Sequence, residues 1–295
     1  MAQTLLAIVL VLLAGHAVPE LARWRDYSWL RGWAAQWMGE GGGKTSRYRA
    51  VLLPLLLVLV CLLLQALLGQ VLFGLPAFAF ATIVLFFAWG PGDLEADMQS
   101  VLKAPDSDRR HAAAQALRPD PAGEPLPLEP VALVEAVFAS ALSRWFGVLF
   151  WFVLLGPGGA LGYRAVQLLA RRSGFREGFD ADHLEVLERT ARILDWVPAH
   201  LIAFTLALVS DFDAVMSTWR HYHADHGKGY FTLDLGFLGA LARAGVDADV
   251  EAGDGYAQDV ADPLTELADA RTVLHRVLIA WLVVIALPAL ILVGR

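Results

Sequence analysis

Gly156-Pro157-Gly158-Gly159-Ala160-Leu161-Gly162-Tyr163-Arg164 (GPGGALGYR) follows directly on RWFGVLFWFVLL (residues 144–155), a run apolar enough to lie in lipid. A break in a helix at membrane depth exposes amides and carbonyls where no water reaches them. Such breaks persist only where protein packs on them or where they line a polar cavity. A helix restarting near Gly158 or Gly159 points free N–H groups and the positive end of its dipole at that cavity. Arg164, about a turn further on, supplies a bidentate cationic fork.

A second stretch offers a partner. In LDWVPAH (residues 194–200), Asp195 with Pro198 in what would be a first turn looks like the cap of another helix start. Two helix N-termini and an arginine would form a receptor for carboxylate or phosphate. Taken singly, the same residues have plainer uses. Asp195 caps a helix, Tyr163 and Trp196 anchor at the interface, and Arg164 snorkels.

Composition places this stretch in a membrane. The 295 residues are 57% apolar and 18% charged, with mean hydropathy +0.52, where a soluble domain carries about a quarter charged residues. The net charge of −7 argues against nucleic acid as a partner. Cys61, the single cysteine, excludes an internal disulfide and a cysteine metal site.

Apolar runs fall at about 4–18, 50–73, 75–90, 145–170, 196–209 and 277–293. The first lacks a basic leader and small cleavage residues, so 1–20 reads as a retained membrane helix. Residues 50–90 form a transmembrane hairpin turning at Gly74–Pro76, and 273–295 form the C-terminal membrane helix. Lys and Arg collect in 19–49, 91–144, 164–195 and 210–276, and none lies in 74–76. By the positive-inside rule those loops are cytoplasmic, which makes 145–170 and 196–209 broken or re-entrant and leaves the N-terminus outside. The expected fold is all-α: a polytopic integral membrane protein with about four spanning helices plus two broken or re-entrant ones.

The rest reads as water-side chain. Residues 21–49 form a basic loop. Residues 91–130 form a loop ending in RPDPAGEPLPLEP, an extended proline-rich linker. Residues 210–272 form an acidic loop region, with eight acids and no base in 244–270. Asp262-Pro263 then reads as an N-cap with proline at the first helical position.

Three motifs fail on inspection. GEGGGKTS (39–46) has Met38 where a P-loop needs glycine, and no strand precedes it. HYHADH (His221, His223, His226), with Asp211 and Asp213 upstream, has no partner at metal-ligand spacing. In VDADVEAGDGYAQ, Ala252 and Gln258 occupy the glycine and closing-glutamate positions of a calcium loop. Neither a metal nor a cofactor is expected.

At GPGGALGYRA and LDWVPAHLIAFTLAL the sequence resembles the AmpE/CobD-CbiB family of bacterial inner-membrane proteins. HADHGKGYFTLDLGFLGALARAG (residues 223–245) is similar to that family's later loop and helix. The likeness runs through most of the chain and is best over about 131–243, so 131–209 is read as the family core. The biosynthetic branch, which the resemblance implies joins an amino-alcohol phosphate to a corrinoid carboxylate, has a polar Asn-Thr-Leu-Asp run after its Tyr-Arg and paired aspartates in its second motif. Here Gln167 and Leu168 stand in the polar run, Trp196 stands beside a single Asp195, and His200 replaces an arginine.

The resemblance therefore points to the AmpE branch. It implies a non-enzymatic sensor or modulator of β-lactamase induction and peptidoglycan recycling. An anionic small molecule such as a muropeptide would occupy a cytoplasm-facing pocket, with a cytoplasmic muropeptide amidase as partner. The expected ligand-binding residues are Gly156, Pro157, Gly158, Gly159, Tyr163, Arg164, Asp195, Trp196, Pro198 and His200. Glu135 matches the family's helix-opening acid, but a straight helix from there to Gly156 is roughly 30 Å long, so it would serve the cytoplasmic mouth. Two other functions compete: an amide-forming enzyme similar to adenosylcobinamide-phosphate synthase, and a scaffold whose loops recruit a soluble partner.

Overall fold

Gly156 takes φ 68° and ψ −157°, a conformation open in practice only to glycine. Pro157 follows at the start of the resumed helix, where its missing N–H removes no bond and its fixed φ suits the turn. The apolar helix therefore breaks at the glycine-proline pair.

The computed structural model describes residues 2–17, 25–39, 48–71, 74–90, 92–120, 123–176, 179–225, 231–254 and 262–293. The failed P-loop match and His226 lie wholly or largely outside them. The elements are α1 (Ala2–Ala17), α2 (Ser28–Gly39), α3 (Arg49–Gly69), α4 (Leu75–Ala88), α5 (Leu94–Leu102), α6 (Ser107–Ala114), α7 (Pro130–Ala141), α8 (Gly147–Arg171), α9 (Ser173–Arg176), α10 (Ala181–Val209), α11 (Phe212–Asp225), α12 (Gly236–Asp254) and α13 (Pro263–Val293). A five-residue π turn, Leu142–Phe146, joins α7 to α8. The described residues contain no strand. The fold is all-α.

Four stretches are long and apolar enough to cross a membrane: Arg49–Gly69, Pro130–Arg171, Ala181–Val209 and Pro263–Leu287. Leu55, Leu59, Leu63 and Leu67 form a stripe of exposed leucines, each at least half exposed, along α3. A row at that spacing is one helix face, and lipid is what it suits. The apolar parts of α1 and α4 are shorter, at Gln3–Gly15 and Leu75–Ala88. Fourteen helical residues reach roughly 21 Å, less than a hydrocarbon core.

The chain divides into two compact units. The first comprises 1–93, 147–194 and 285–295, and the second 94–146 and 195–284. In the first, α8 packs on α3 and α4. Its core includes Tyr27, Leu30, Leu53, Leu57, Val166, Leu169, Leu187 and Ala191. A Cβ built on Gly158 would lie 3.1 Å from Leu62 Cγ, and one on Gly162 only 2.3 Å from Val58 Cγ2. Gly158 and Gly162 are thus a glycine pair four residues apart that lets α8 press against α3. The Gln65 amide sits against Gly156, 3.2 Å from where its Cβ would be. That puts a polar side chain beside the broken backbone.

In the second unit α7 packs on α12, and Gly239 gives room for Glu135, whose Cγ would be 3.0 Å from an added Cβ. Gly245 does the same for Leu206. Two charge clusters tie the shorter helices down. Arg144, placed by the π turn, binds Asp97 at 2.6 Å and donates to the Ala116 carbonyl at 2.6 Å. Glu95 of α5 accepts from Arg271 and Gln99 and faces His275 at 3.3 Å.

Several expectations need correcting. Residues 196–209 are not a short, broken helix: α10 runs unbroken from Ala181, with Pro198 in its interior. Asp195 therefore caps nothing. The cap is Asp180, whose carbonyl accepts from the His183 and Leu184 amides. Pro198 cannot donate to the Leu194 carbonyl, and Trp151 Nε1 donates to it instead at 3.1 Å. A helix can carry an internal proline when the freed carbonyl finds another donor. The charged residues 182–192 hide this helix from an apolar-run search.

The basic loop at 21–49 contains α2, the 91–130 loop contains α5 and α6, and the acidic region at 210–272 contains α11, α12 and the start of α13. Each was masked by its polar exposed face. Asp262 does cap α13, accepting from the Thr265 amide and hydroxyl.

Candidate functional site

The side chains expected around GPGGALGYR divide by unit. In the first, Gly156, Gly158 and Gly162 are filled by α3 and Gly159 by the preceding turns of α8, so they present no open cradle. Tyr163 is 2% exposed and lies over Gly147, where a Cβ would fall 2.1 Å from its hydroxyl. Arg164 is 3% exposed, and its Nε donates to the Ala88 carbonyl at 2.7 Å. That carbonyl ends α4, where a cation also meets the negative end of the helix dipole.

Tyr27 shares this anchoring. Its hydroxyl is within hydrogen-bond distance of the Phe87 and Gly90 carbonyls, 2.6 and 2.8 Å away. Arg25 Nη1 donates to the Gly92 carbonyl at 3.1 Å, and its guanidinium lies 4.7 Å over the Phe86 ring. Burial pushes the Tyr27 pKa up, while Arg164, Arg25 and Arg172 pull it the other way. Three guanidinium groups thus converge on one phenol from different parts of the chain.

Two cavities open at this cluster. One of about 160 Å³ is lined by Arg25, Arg31, Arg172, Ser28 and Tyr27, with Asp26 as its one acid. Asp26 accepts from the Ser28 amide and hydroxyl at the start of α2. The other, about 310 Å³, shares Asp26 and Tyr27 and is otherwise walled mainly by Leu30, Ile83, Val84, Phe87, Leu161 and Leu168, with Arg164 also in its lining. Arginine offers donors only, in a fork that matches phosphate and carboxylate. The arrangement can hold an anion. It offers no paired carboxylates for acid–base work.

Sequence reasoning found Arg164 and missed Tyr27, Arg25, Arg31 and Arg172. The signal was present in RWRDYSWLRGWAAQW. Tyr27, Leu30 and Ala34 are buried and Trp37 is half-buried, at helical spacing, while Trp29, Arg31 and Trp33 are exposed.

The remaining candidates belong to the second unit. Asp195 is fully buried. Trp196 Nε1 donates to the Thr232 carbonyl at 3.1 Å, and its ring lies 4.2 Å from that of His200. His200 Nδ1 meets the Trp196 carbonyl at 2.7 Å, and its ring lies 4.8 Å from Phe237 and 5.8 Å from Trp219. Glu135 pairs with Arg243 at 3.1 Å. Trp196 and His200 thus build an aromatic cluster with α11 and α12, and Glu135 joins α7 to α12. The histidine pair His221 and His223 is carried by α11, and the described residues contain no group of three metal-ligating side chains.

Comparison with known proteins now gives the lineage. The model of the CobD/CbiB protein family matches residues 5–229, most of the chain and all of α2, α3, α4, α8 and α10. The chain belongs to the CobD/CbiB family. Over 89 residues it is 30% identical to a protein described as cobalamin biosynthesis protein CobD from Stutzerimonas stutzeri (strain A1501). That stretch covers 30% of this chain and 29% of the relative. No solved structure matches. The CobD/CbiB match takes in every arginine of the Tyr27 cluster together with Gly156, Tyr163 and Asp195.

Proposed function

We propose that this family member is a membrane-embedded modulator of the AmpE branch. It acts in bacterial β-lactamase induction and peptidoglycan recycling at the inner membrane, binds an anionic ligand and works beside a cytoplasmic muropeptide amidase. The observation that carries this is that Arg25, Arg31 and Arg172 line one pocket with Tyr27, while Arg164 and Tyr27 line the cavity beside it. The cluster stands in the family's Tyr-Arg region, where Gln167 and Leu168 replace the polar run of the biosynthetic branch. Such a site binds and orients. Any ligand that presents carboxylate or phosphate oxygens has the chemistry to suit it.

Arg164 is a poor probe because it also holds α4. Arg31 and Arg172 are exposed and free of that duty. The double variant R31A/R172A should remain in the membrane at wild-type level. It should reduce β-lactamase induction by an added β-lactam roughly tenfold or more, the scale of two lost charge-assisted contacts. Unaltered induction from a well-expressed double variant would remove the pocket from the function.

A second reading is a membrane amide-forming enzyme, favoured by the partial match to a protein named for cobalamin biosynthesis. It predicts that expression restores growth of a strain lacking the corrinoid amide-forming enzyme. Failure to do so at normal protein levels would leave only the binding role.

A further inference from the structure

The two cavities at Tyr27 differ in kind and share a wall. The smaller presents Arg25, Arg31 and Arg172, and the larger is a slot about 310 Å³ in volume walled by aliphatic and aromatic side chains of α2, α4 and α8. Asp26 and Tyr27 line both, so a molecule seated on the arginines has an apolar space beside its binding group. Accepting the cluster as an anion site, as above, we infer that its occupant is a phosphate-bearing lipid. The phosphate would lie among Arg25, Arg31 and Arg172, and part of its tail in the slot.

Three observations support a tailed anion over a soluble one. First, Arg25 is 8% exposed, and its Nε finds no acceptor among the described residues. A buried guanidinium donor without a partner is costly, and an anion oxygen supplies what it lacks. Second, the slot reaches side chains at the surface of the protein. Ile83 is 57% and Phe87 37% exposed on α4, the outlook of residues that face lipid. Third, α2 carries Trp29 and Trp33, both exposed and stacked edge to face, flanking Arg31. Tryptophan and arginine on one short helix belong at the level of headgroups, with the ring in the interface and the cation among phosphates. A soluble muropeptide would use the arginines and leave the slot empty.

Asp26 sets the polarity of the site. Its carboxylate is held by Ser28 at the start of α2, so the three arginines of the pocket lining are offset there by one committed acid, with Asp93 acting on Arg25 as a second. A zwitterionic headgroup gains less from that balance than a plain phosphate does.

Native mass spectrometry of the full-length protein in non-ionic detergent tests the assignment. The probes are phosphatidic acid, phosphatidylcholine, glycerol phosphate and a soluble muropeptide. The wild type should retain phosphatidic acid at least about tenfold better than phosphatidylcholine and should hold neither tailless anion. R31A/R172A should lose that preference. V84W, which fills the slot from a half-buried position without touching an arginine, should lose it too.

Equal retention of phosphatidylcholine would mean annular lipid and overturn the inference. Binding of glycerol phosphate or the muropeptide as tight as phosphatidic acid would also overturn it, while leaving the anion site standing. Unchanged phosphatidic acid retention by V84W, with the variant folded, would show that the tail lies elsewhere and is equally contrary. No binding of any probe that depends on Arg31 and Arg172 would remove the site and the function proposed from it together.

Discussion

Alanine at Gly159 should destabilise the protein by about 3 kcal/mol or more, lowering its melting temperature in detergent by roughly 6–12 °C. A Cβ there would lie 2.4 Å from the Trp151 carbonyl oxygen and 2.6 Å from Leu155 Cβ. Both belong to the helical segment before the break, so the turn at Gly156 folds the chain back onto itself. The nearest clash is with backbone and cannot be relieved by a rotamer change. Gly162 makes a useful contrast, because the atom it meets is a side-chain methyl of Val58. The double variant G162A/V58A should recover most of what G162A loses, whereas no single partner change should rescue G159A. Equal melting temperatures for G159A and wild type would mean that the helix does not break as described.

Removing the Glu95 carboxylate should have the next largest effect. Burial pushes its pKa up, but hydrogen bonds from His275, Arg271 and Gln99 outweigh burial and hold it well below the usual carboxylate range. A group whose folded pKa is depressed stabilises fully above its unfolded value, about 4.3, and loses that contribution as pH falls further. The wild type should therefore lose stability progressively as pH drops below about 5. E95Q leaves Arg271 and His275 facing a neutral amide. It should cost roughly 2 kcal/mol at pH 7, about 5 °C in melting temperature, and flatten the acid limb of the pH–stability curve. Thermal melts of both proteins between pH 3.5 and 7.5 supply the check. A parallel acid limb in E95Q would assign the pH dependence to other carboxylates.

The membrane class and the break at Gly156 were legible because they rest on local chemistry: uncharged runs, and a glycine-proline pair that no helix continues through. The α13 start at Asp262-Pro263 was legible for the same reason. The course of α10 was not. Pro198 reads locally as a beginning, and only the tertiary bond from Trp151 to the Leu194 carbonyl lets the helix continue through it.

The glycines carried a double meaning. In the sequence Gly158 reads as part of a cradle for an anion, but with Gly162 it forms a seam for another helix, and the facing residues, Val58 and Leu62, decide for the seam. The arginine cluster was the hardest to see. Arg25, Arg164 and Arg172 meet only after α2 and α8 pack, and a basic stretch rich in tryptophan looks like a loop until its buried face is traced from Tyr27 to Trp37. Arg164 proved a good guide to the place and a misleading guide to the means. It holds α4, and its neighbours face the pocket.

The central claim is that the guanidinium groups around Tyr27 close on an anion, and a density map of the protein in nanodiscs containing anionic lipid tests it most directly. The expected result is a phosphate-sized peak about 3 Å from the guanidinium nitrogens of Arg25, Arg31 and Arg172. A map in which Arg31 and Arg172 turn to bulk water and the space at Tyr27 holds only solvent would contradict it.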